Sequence, residues 1–307
     1  MANASAVDWD VLRSQLGDDR AGWLFKYQGG YIATSALSLF LGGAVLDKIV
    51  STVRAPGLKI GYRLAMLALV ILVLLKTAAE IWSIYEIAVP RYGSATALWV
   101  NVPQMLAAET NFVIAGVVQA IFIDRIVTLY QARPWLARGI AVGLGTLSVS
   151  SFALGSEAVA WTASFATRGN QFDTTSAAYK WRWFTSLGIA ALEDVAISGL
   201  MLWRLREIDS EVADRGARSI TLRLAITTLR TNALTSAFVV SNLIASGLHN
   251  PNANDIFLLV GPLYTFSVVA MLRSQQTRAA PATEKDIEGE KRGDLPNLAI
   301  ALDTEGH

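Results

Sequence analysis

The sequence predicts an all-α fold, a polytopic transmembrane bundle of seven helices with the N-terminus outside and the C-terminus in the cytosol. The chain is 53% hydrophobic and only 17% charged over 307 residues, too apolar for an ordinary water-soluble domain. Its apolar residues gather into seven runs near the length of about 20 residues that a helix needs to cross a hydrocarbon core of about 30 Å. Lys and Arg alternate in abundance between successive connections, as they do when one set of loops stays in the cytosol.

The elements follow in order. Residues 1–27 form an outer tail that carries Asp8, Asp10, Asp18 and Asp19 and lacks the basic, then apolar, order of a cleavable signal. The first apolar run is therefore expected to act as its own insertion signal. Spans are read at 30–50, 64–89, 102–123, 140–165, 183–203, 220–247 and 256–272, so that residues 28–273 make up the membrane domain. The seventh is short and contains Gly261 and Pro262. It is expected to kink or unwind there, with neighbouring helices satisfying the freed backbone groups. Residues 274–307 are polar, charged and proline-containing, and such a segment buries too little apolar surface to fold alone. It reads as a disordered cytosolic tail.

Orientation comes from the basic flanks. Lys48, Arg54, Lys59, Arg63, Arg125, Arg133, Arg138, Arg204, Arg206, Arg215, Arg218 and the basic residues from Arg273 onward fall on one side; Arg13, Arg20, Lys26, Arg91, Arg168, Lys180 and Arg182 fall on the other. The richer side is assigned to the cytosol. Trp99, Trp161, Trp181 and Trp183 then lie near the outer boundary and Trp135 and Trp203 near the inner one, where indoles gather. The plasma membrane is the expected location.

Composition also excludes chemistry. There is no cysteine, and only His249 and His307 are available as histidines, which rules out thiolate sites and multi-histidine zinc centres. No phosphate loop, dinucleotide fingerprint or serine elbow is present. The net charge of +1 gives no attraction for nucleic acid. A non-enzymatic protein without a cofactor is expected. Asp124-Arg125 at the inner end of the third span matches G-protein-coupled receptors only as a dipeptide, and the seventh span has no lysine for a retinal Schiff base.

Charges inside the spans are the informative exceptions, because each costs about 2.5 to 3.5 kcal/mol on insertion scales and usually faces partners within the bundle. Glu80, Glu109, Glu157 and Glu193, on four successive spans, come out about 10 to 15 Å below the outer ends at a rise of 1.5 Å per residue. Lys76 lies one turn deeper, Asp194 beside Glu193, and Arg230 near the midplane. On one reading these groups neutralise each other, Lys76 with Glu80 or Glu109 and Arg230 with Asp194 or Glu193. Lys before Glu at this spacing is the weaker order for a helix-surface pair, which favours a partner on another helix. On the other reading Glu80, Glu109, Glu157, Glu193 and Asp194 outnumber Lys76 and Arg230 around an outward-opening cavity suited to a small cationic or proton-donating ligand.

Small residues suggest packing. Thr221, Thr228, Thr235 and Asn242 recur at a seven-residue interval on one face of the sixth span, and such stripes make helix contacts in membranes. Gly139, Gly143, Gly145, Gly188, Ala191 and Gly199 are expected to allow close approach of helices.

Thr231, Leu234, Thr235 and Ser236, then Gly261, Leu263, Tyr264, Ser267, Ala270 and Leu272, together with Asp194-Val195 and Val118, Gln119, Phe122, Arg125 and Ile126, resemble the pattern of a fungal, mostly basidiomycete, family of membrane proteins with a C-terminal domain of unknown function. The resemblance is best over 183–275. The family usually has an aspartate and a histidine where this chain has "KTAAE", and a lysine at Pro262. It implies a seven-helix integral membrane protein and brings no established activity. The expected function is a sensor or ligand-binding protein with its cavity between the second and sixth spans. A proton- or cation-coupled transporter is the alternative, and a structural or partner-organising protein the third reading. A cytosolic partner would dock on the loop 204–218 and the C-terminal tail.

Overall fold

The computed structural model describes residues 20–54, 58–89, 101–168, 177–211, 233–245 and 256–273. They form α1 (Arg20–Arg54), α2 (Ile60–Ala88), α3 (Val102–Leu129), α4 (Pro134–Arg168) and α5 (Ala177–Glu211), then the shorter apolar helices α6 (Ala233–Ala245) and α7 (Val260–Arg273). The protein is an all-α, polytopic, membrane-spanning bundle. Among the described residues five helices, α1 to α5, are long and apolar enough to cross a membrane. The sixth expected span is described only over α6, so Thr221, Thr228 and Arg230 lie outside the described residues, as do Trp99, residues 1–19 and the C-terminal tail; residues 20–27, expected as part of the outer tail, are the first turns of α1.

Helix is forced by the solvent: in hydrocarbon every backbone group must be satisfied within its own segment. Turn chemistry sets the boundaries. Asn101 caps α3, its side chain accepting from the Gln104 amide at 2.8 Å, with Pro103 in the first turn, where its missing N–H is no loss. Tyr130 to Arg133 close a tight turn, and Pro134 opens α4. The long helices pack in sequence order, α1 on α2, α2 on α3, α3 on α4 and α4 on α5, and α3 also touches α5.

The shortest apolar run turns out to be the most enclosed. From Phe257 to Leu272 every residue but Phe266 and Ala270 is buried, which is the mark of a helix apolar on all sides. The irregularity expected at Gly261-Pro262 falls just before it, in a turn at Leu258 and Leu259; Pro262 sits in the first turn of α7, where proline is tolerated. Neighbours satisfy the exposed carbonyls as expected. Asn111 Nδ2 of α3 donates to the Phe257 carbonyl at 3.1 Å, and Ser38 Oγ of α1 lies 3.1 Å from that of Leu258.

Close approach occurs at glycines other than those expected. A Cβ on Gly139, Gly143, Gly145, Gly188 or Gly199 would meet nothing within 4 Å, so these positions face outward or into gaps rather than a neighbouring helix. A Cβ on Gly155 would instead lie 2.4 Å from the Phe112 ring, and one on Gly261 would lie 2.2 Å from Asn111 Oδ1. The Asn111 amide cannot swing away without losing its bond to Phe257. Gly261→Ala is therefore expected to destabilise the protein by about 1 to 3 kcal/mol, the usual cost of overpacking. Thermal unfolding in lipid nanodiscs measures it, with Asn111→Ala in the same chain recovering part of the loss.

Trp183 also departs from expectation. It is buried at the centre of a ring cluster, 6.0 Å from Phe112 and 5.1 Å from Phe257 between centroids, because a large apolar ring is needed where α3, α5 and the start of α7 meet. Trp161 and Trp181 at one end, and Trp135 and Trp203 at the other, remain partly or fully exposed, in keeping with interfacial belts.

At the end bearing the α3 to α4 turn, Asp124-Arg125 is held by α2. Tyr62 Oη donates to Asp124, and the Arg125 guanidinium stacks 4.3 Å from the Tyr62 ring. Beside it Arg204 donates to the Leu129 carbonyl at 2.9 Å, while Arg204 and Arg133 both reach Glu207 at 2.7 Å. Their hydrogen bonds hold the Glu207 carboxyl below its ordinary range. Tyr130 Oη donates to the Leu200 carbonyl at 3.2 Å, completing a polar collar that fixes the ends of α3, α4 and α5.

Candidate functional site

Two buried polar groups lie on either side of the start of α7. The first is built on α2. Lys76 and Glu80, one turn apart, form an ion pair with only 2% and 1% of their side chains exposed. The partner is thus on the same helix. The preferred order of such pairs is worth only tenths of a kcal/mol at a helix surface, far less than the cost of leaving either charge alone in the interior. A third side chain completes the group from α1: Ser38 Oγ accepts from Lys76 Nζ at 2.6 Å and lies 2.9 Å from Glu80 Oε1 and 3.1 Å from the Leu258 carbonyl. A hydroxyl has one proton. Ser38 can donate to the charge pair or to α7, but not to both at once.

A neutral chain continues the group toward the α3 cap. Tyr31 Oη of α1 donates to Ser83 Oγ of α2 at 2.8 Å, and Ser83 donates to Asn101 Oδ1 at 3.0 Å.

The second group joins α3, α5 and α7. Tyr264 Oη donates to Asp194 Oδ2 at 2.5 Å, and both residues are buried. Gln119 of α3 lies beside Asp194 and accepts from Ser148 Oγ of α4 at 2.9 Å. Glu193 is fully buried, and neither of its carboxyl oxygens has a hydrogen-bond partner among the described residues. Asn242 of α6 is likewise enclosed with both amide atoms unpaired there. Thr235 and Asn242, two members of the expected stripe, are both buried.

The remaining acids stand apart from these groups. Glu109 accepts from Ser156 Oγ at 2.7 Å, and Glu157, half exposed, pairs with Arg182 at 2.6 Å. The described site residues are therefore distributed over separate groups. Arg182, counted among the outer flanks, is the counter-charge of Glu157.

Tyr264→Phe isolates the bond in the second group. It is expected to cost about 1 to 3 kcal/mol, because it leaves the enclosed Asp194 short of a donor; unfolding of the two proteins in matched nanodiscs gives the difference. Asp194→Asn in the Phe background should recover part of that loss.

Fold and buried polar groups together define a polytopic helical membrane protein in which Lys76, Glu80, Glu193 and Asp194 are closed within the bundle. Residues 190–277, which include Asp194 and Tyr264, match the model of a family of unknown function (DUF6534). No curated protein and no solved structure matches the chain. Ser38, Asn111 and Gln119 escaped selection as site residues because serines and amides are ordinary in membrane helices; the signal that could have marked Asn111 was the Gly-Pro opposite it, whose freed backbone needed a donor.

Proposed function

We propose that this chain is a seven-helix sensor of the plasma membrane, N-terminus outside and C-terminus cytosolic, in which the Lys76–Glu80 pair is the ligand-responsive element and α7 the relay. The observation that carries this reading is Ser38, whose single hydroxyl proton lies between the buried pair and the Leu258 carbonyl. A small cation that replaced the Lys76 ammonium at Glu80 would change which acceptor Ser38 serves, and so how tightly the start of α7 is held. The far end of α7 reaches α1 through Arg273, which donates to Ser51 Oγ at 2.9 Å. The output would pass to a cytosolic partner at residues 204–218, which were expected as a loop but begin with the last turns of α5, up to Glu211, and at the C-terminal tail. The basic residues at the ends sharing the α3 to α4 turn support the orientation.

The test uses the full-length protein in nanodiscs, with ethanolamine, choline and putrescine as probes. Saturable thermal stabilisation by one of them, abolished in Glu80→Gln, supports the sensor. Stabilisation by none of the three, or stabilisation that persists in Glu80→Gln, counts against it. A second reading, a proton-coupled transporter, draws on the carboxyl of Glu193, which has no hydrogen-bond partner among the described residues. Proton flux into pyranine-loaded vesicles that disappears in Glu193→Gln would favour that reading.

A further inference from the structure

The facing stripes of α1 and α2 change character at one level. Toward the end of the bundle that carries Asn101, Tyr31, Ser35 and Ser38 of α1 stand on the side of Lys76, Glu80 and Ser83 of α2, all of them buried. Cross-helix bonds join Tyr31 to Ser83 and Ser38 to both members of the ion pair. One turn beyond Ser38 the helices pass close at Gly42, where a Cβ would lie 3.7 Å from both Val73 and Thr77. From there on the stripes are apolar: Val45 and Ile49 of α1 belong with Met66, Leu69 and Val73 of α2 to the main core. The polar half also holds two unanswered groups. Ser35 Oγ, fully buried on the same face of α1 as Tyr31 and Ser38, has no hydrogen-bond partner among the described residues, and neither has Nδ2 of the buried Asn101. Such orphans are few in folded proteins, and water or a cation in the seam would give both a partner.

We propose that the polar half of the α1 to α2 seam is the route by which a small cation reaches Glu80 from the Asn101 end, and that the apolar half is a seal that stops it there. The proposal rests on the sensor reading, which places the cation at Glu80. Parting the polar half exchanges bonds within the protein for bonds to water, at a small net cost. Parting the apolar half would open only a constriction that water leaves. Lys76, one turn from Glu80 on the side of the seal, adds an electrostatic barrier to any cation going further. An arriving cation therefore meets the carboxylate first and the ammonium behind it, and the seam is a dead end rather than a passage.

Thiol labelling tests the route, because the chain has no cysteine and any introduced thiol is its only one. The full-length protein is held in one orientation in sealed vesicles and treated, from the bath or from the lumen, with 2-(trimethylammonium)ethyl methanethiosulfonate, a cation that does not cross the bilayer. The mass of the intact chain reads the product. Gln131→Cys, in the exposed α3 to α4 turn, marks one face. Ser35→Cys is expected to react only from the other face, and Val45→Cys from neither; Ser83→Cys, on the facing helix, gives the same reading should Ser35→Cys fail to fold. Thiols inert at both Ser35 and Ser83, reaction of either from the Gln131 face, or reaction at Val45 would overturn the proposal. Labelling needs no bound ligand. A reactive Ser35→Cys in a protein that none of the three amine probes stabilises therefore removes the sensor reading and leaves the route standing, whereas inert thiols in a protein that one probe stabilises remove the route alone.

Discussion

Lys76→Leu is expected to destabilise the folded bundle by about 3 to 5 kcal/mol, the cost of stranding one member of a buried ion pair. Glu80→Leu should cost a similar amount for the mirror-image reason. Each leaves a full charge enclosed, with only the Ser38 hydroxyl at hand among the described residues. The double replacement removes both charges and puts apolar side chains of similar volume in their place. Such replacements are often neutral or stabilising by about 1 to 4 kcal/mol, and the double variant is expected to be more stable than the unaltered protein. Thermal unfolding of all four proteins in one lipid composition closes the cycle. A double variant above the starting stability means that the sequence retains an energetic cost at this place, as a responsive element requires. A double variant that only regains the starting value makes the pair structural, and the sensor reading loses its centre.

Gly155→Ala should be the most damaging single-methyl change among the described glycines. Three carbons of the Phe112 ring would lie 2.4 to 2.7 Å from the added Cβ, and two other rings restrict how far that ring can shift. It is held on the other side by Phe257, with centroids 4.9 Å apart, and by Trp183 at its edge. Relief requires α4 to move away from α3, which disturbs one of the main helix contacts in the bundle. The loss is expected at or above the upper end of the usual overpacking range of about 1 to 3 kcal/mol. The check is a second cycle: Phe112→Leu in the same chain should recover much of the melting temperature. Gly139→Ala, which adds its methyl group to open space, should leave melting nearly unchanged.

Those two glycines show where sequence reasoning reaches its limit. Both lie on α4 in similarly apolar surroundings, and nothing in one chain of residues says which way a membrane helix is turned when lipid and protein interior are equally apolar. The five long spans were legible because crossing hydrocarbon imposes a length and a composition. Lys76 and Glu80 were legible because charge within an apolar run is costly, but their serine partner on α1 was not. The central position of α7 was harder to see, since its shortness made it the weakest span by length. Its all-round apolar pattern from Val260 to Leu272 was the stronger signal. Asp194 and Tyr264 each fell in a segment that resembled the family, yet the hydrogen bond between them is a fact of three-dimensional packing.

The enclosure of α7 bears on how the molecule is made. Among the described helices α7, the most enclosed, is also the last to be synthesised, so α1 to α5 enter the bilayer around a slot that α7 fills only later. Lipid chains fill such a slot during synthesis and have to be expelled when α7 arrives. The Leu258 and Phe257 carbonyls then dock on Ser38 and Asn111, which until that moment are polar groups facing the slot.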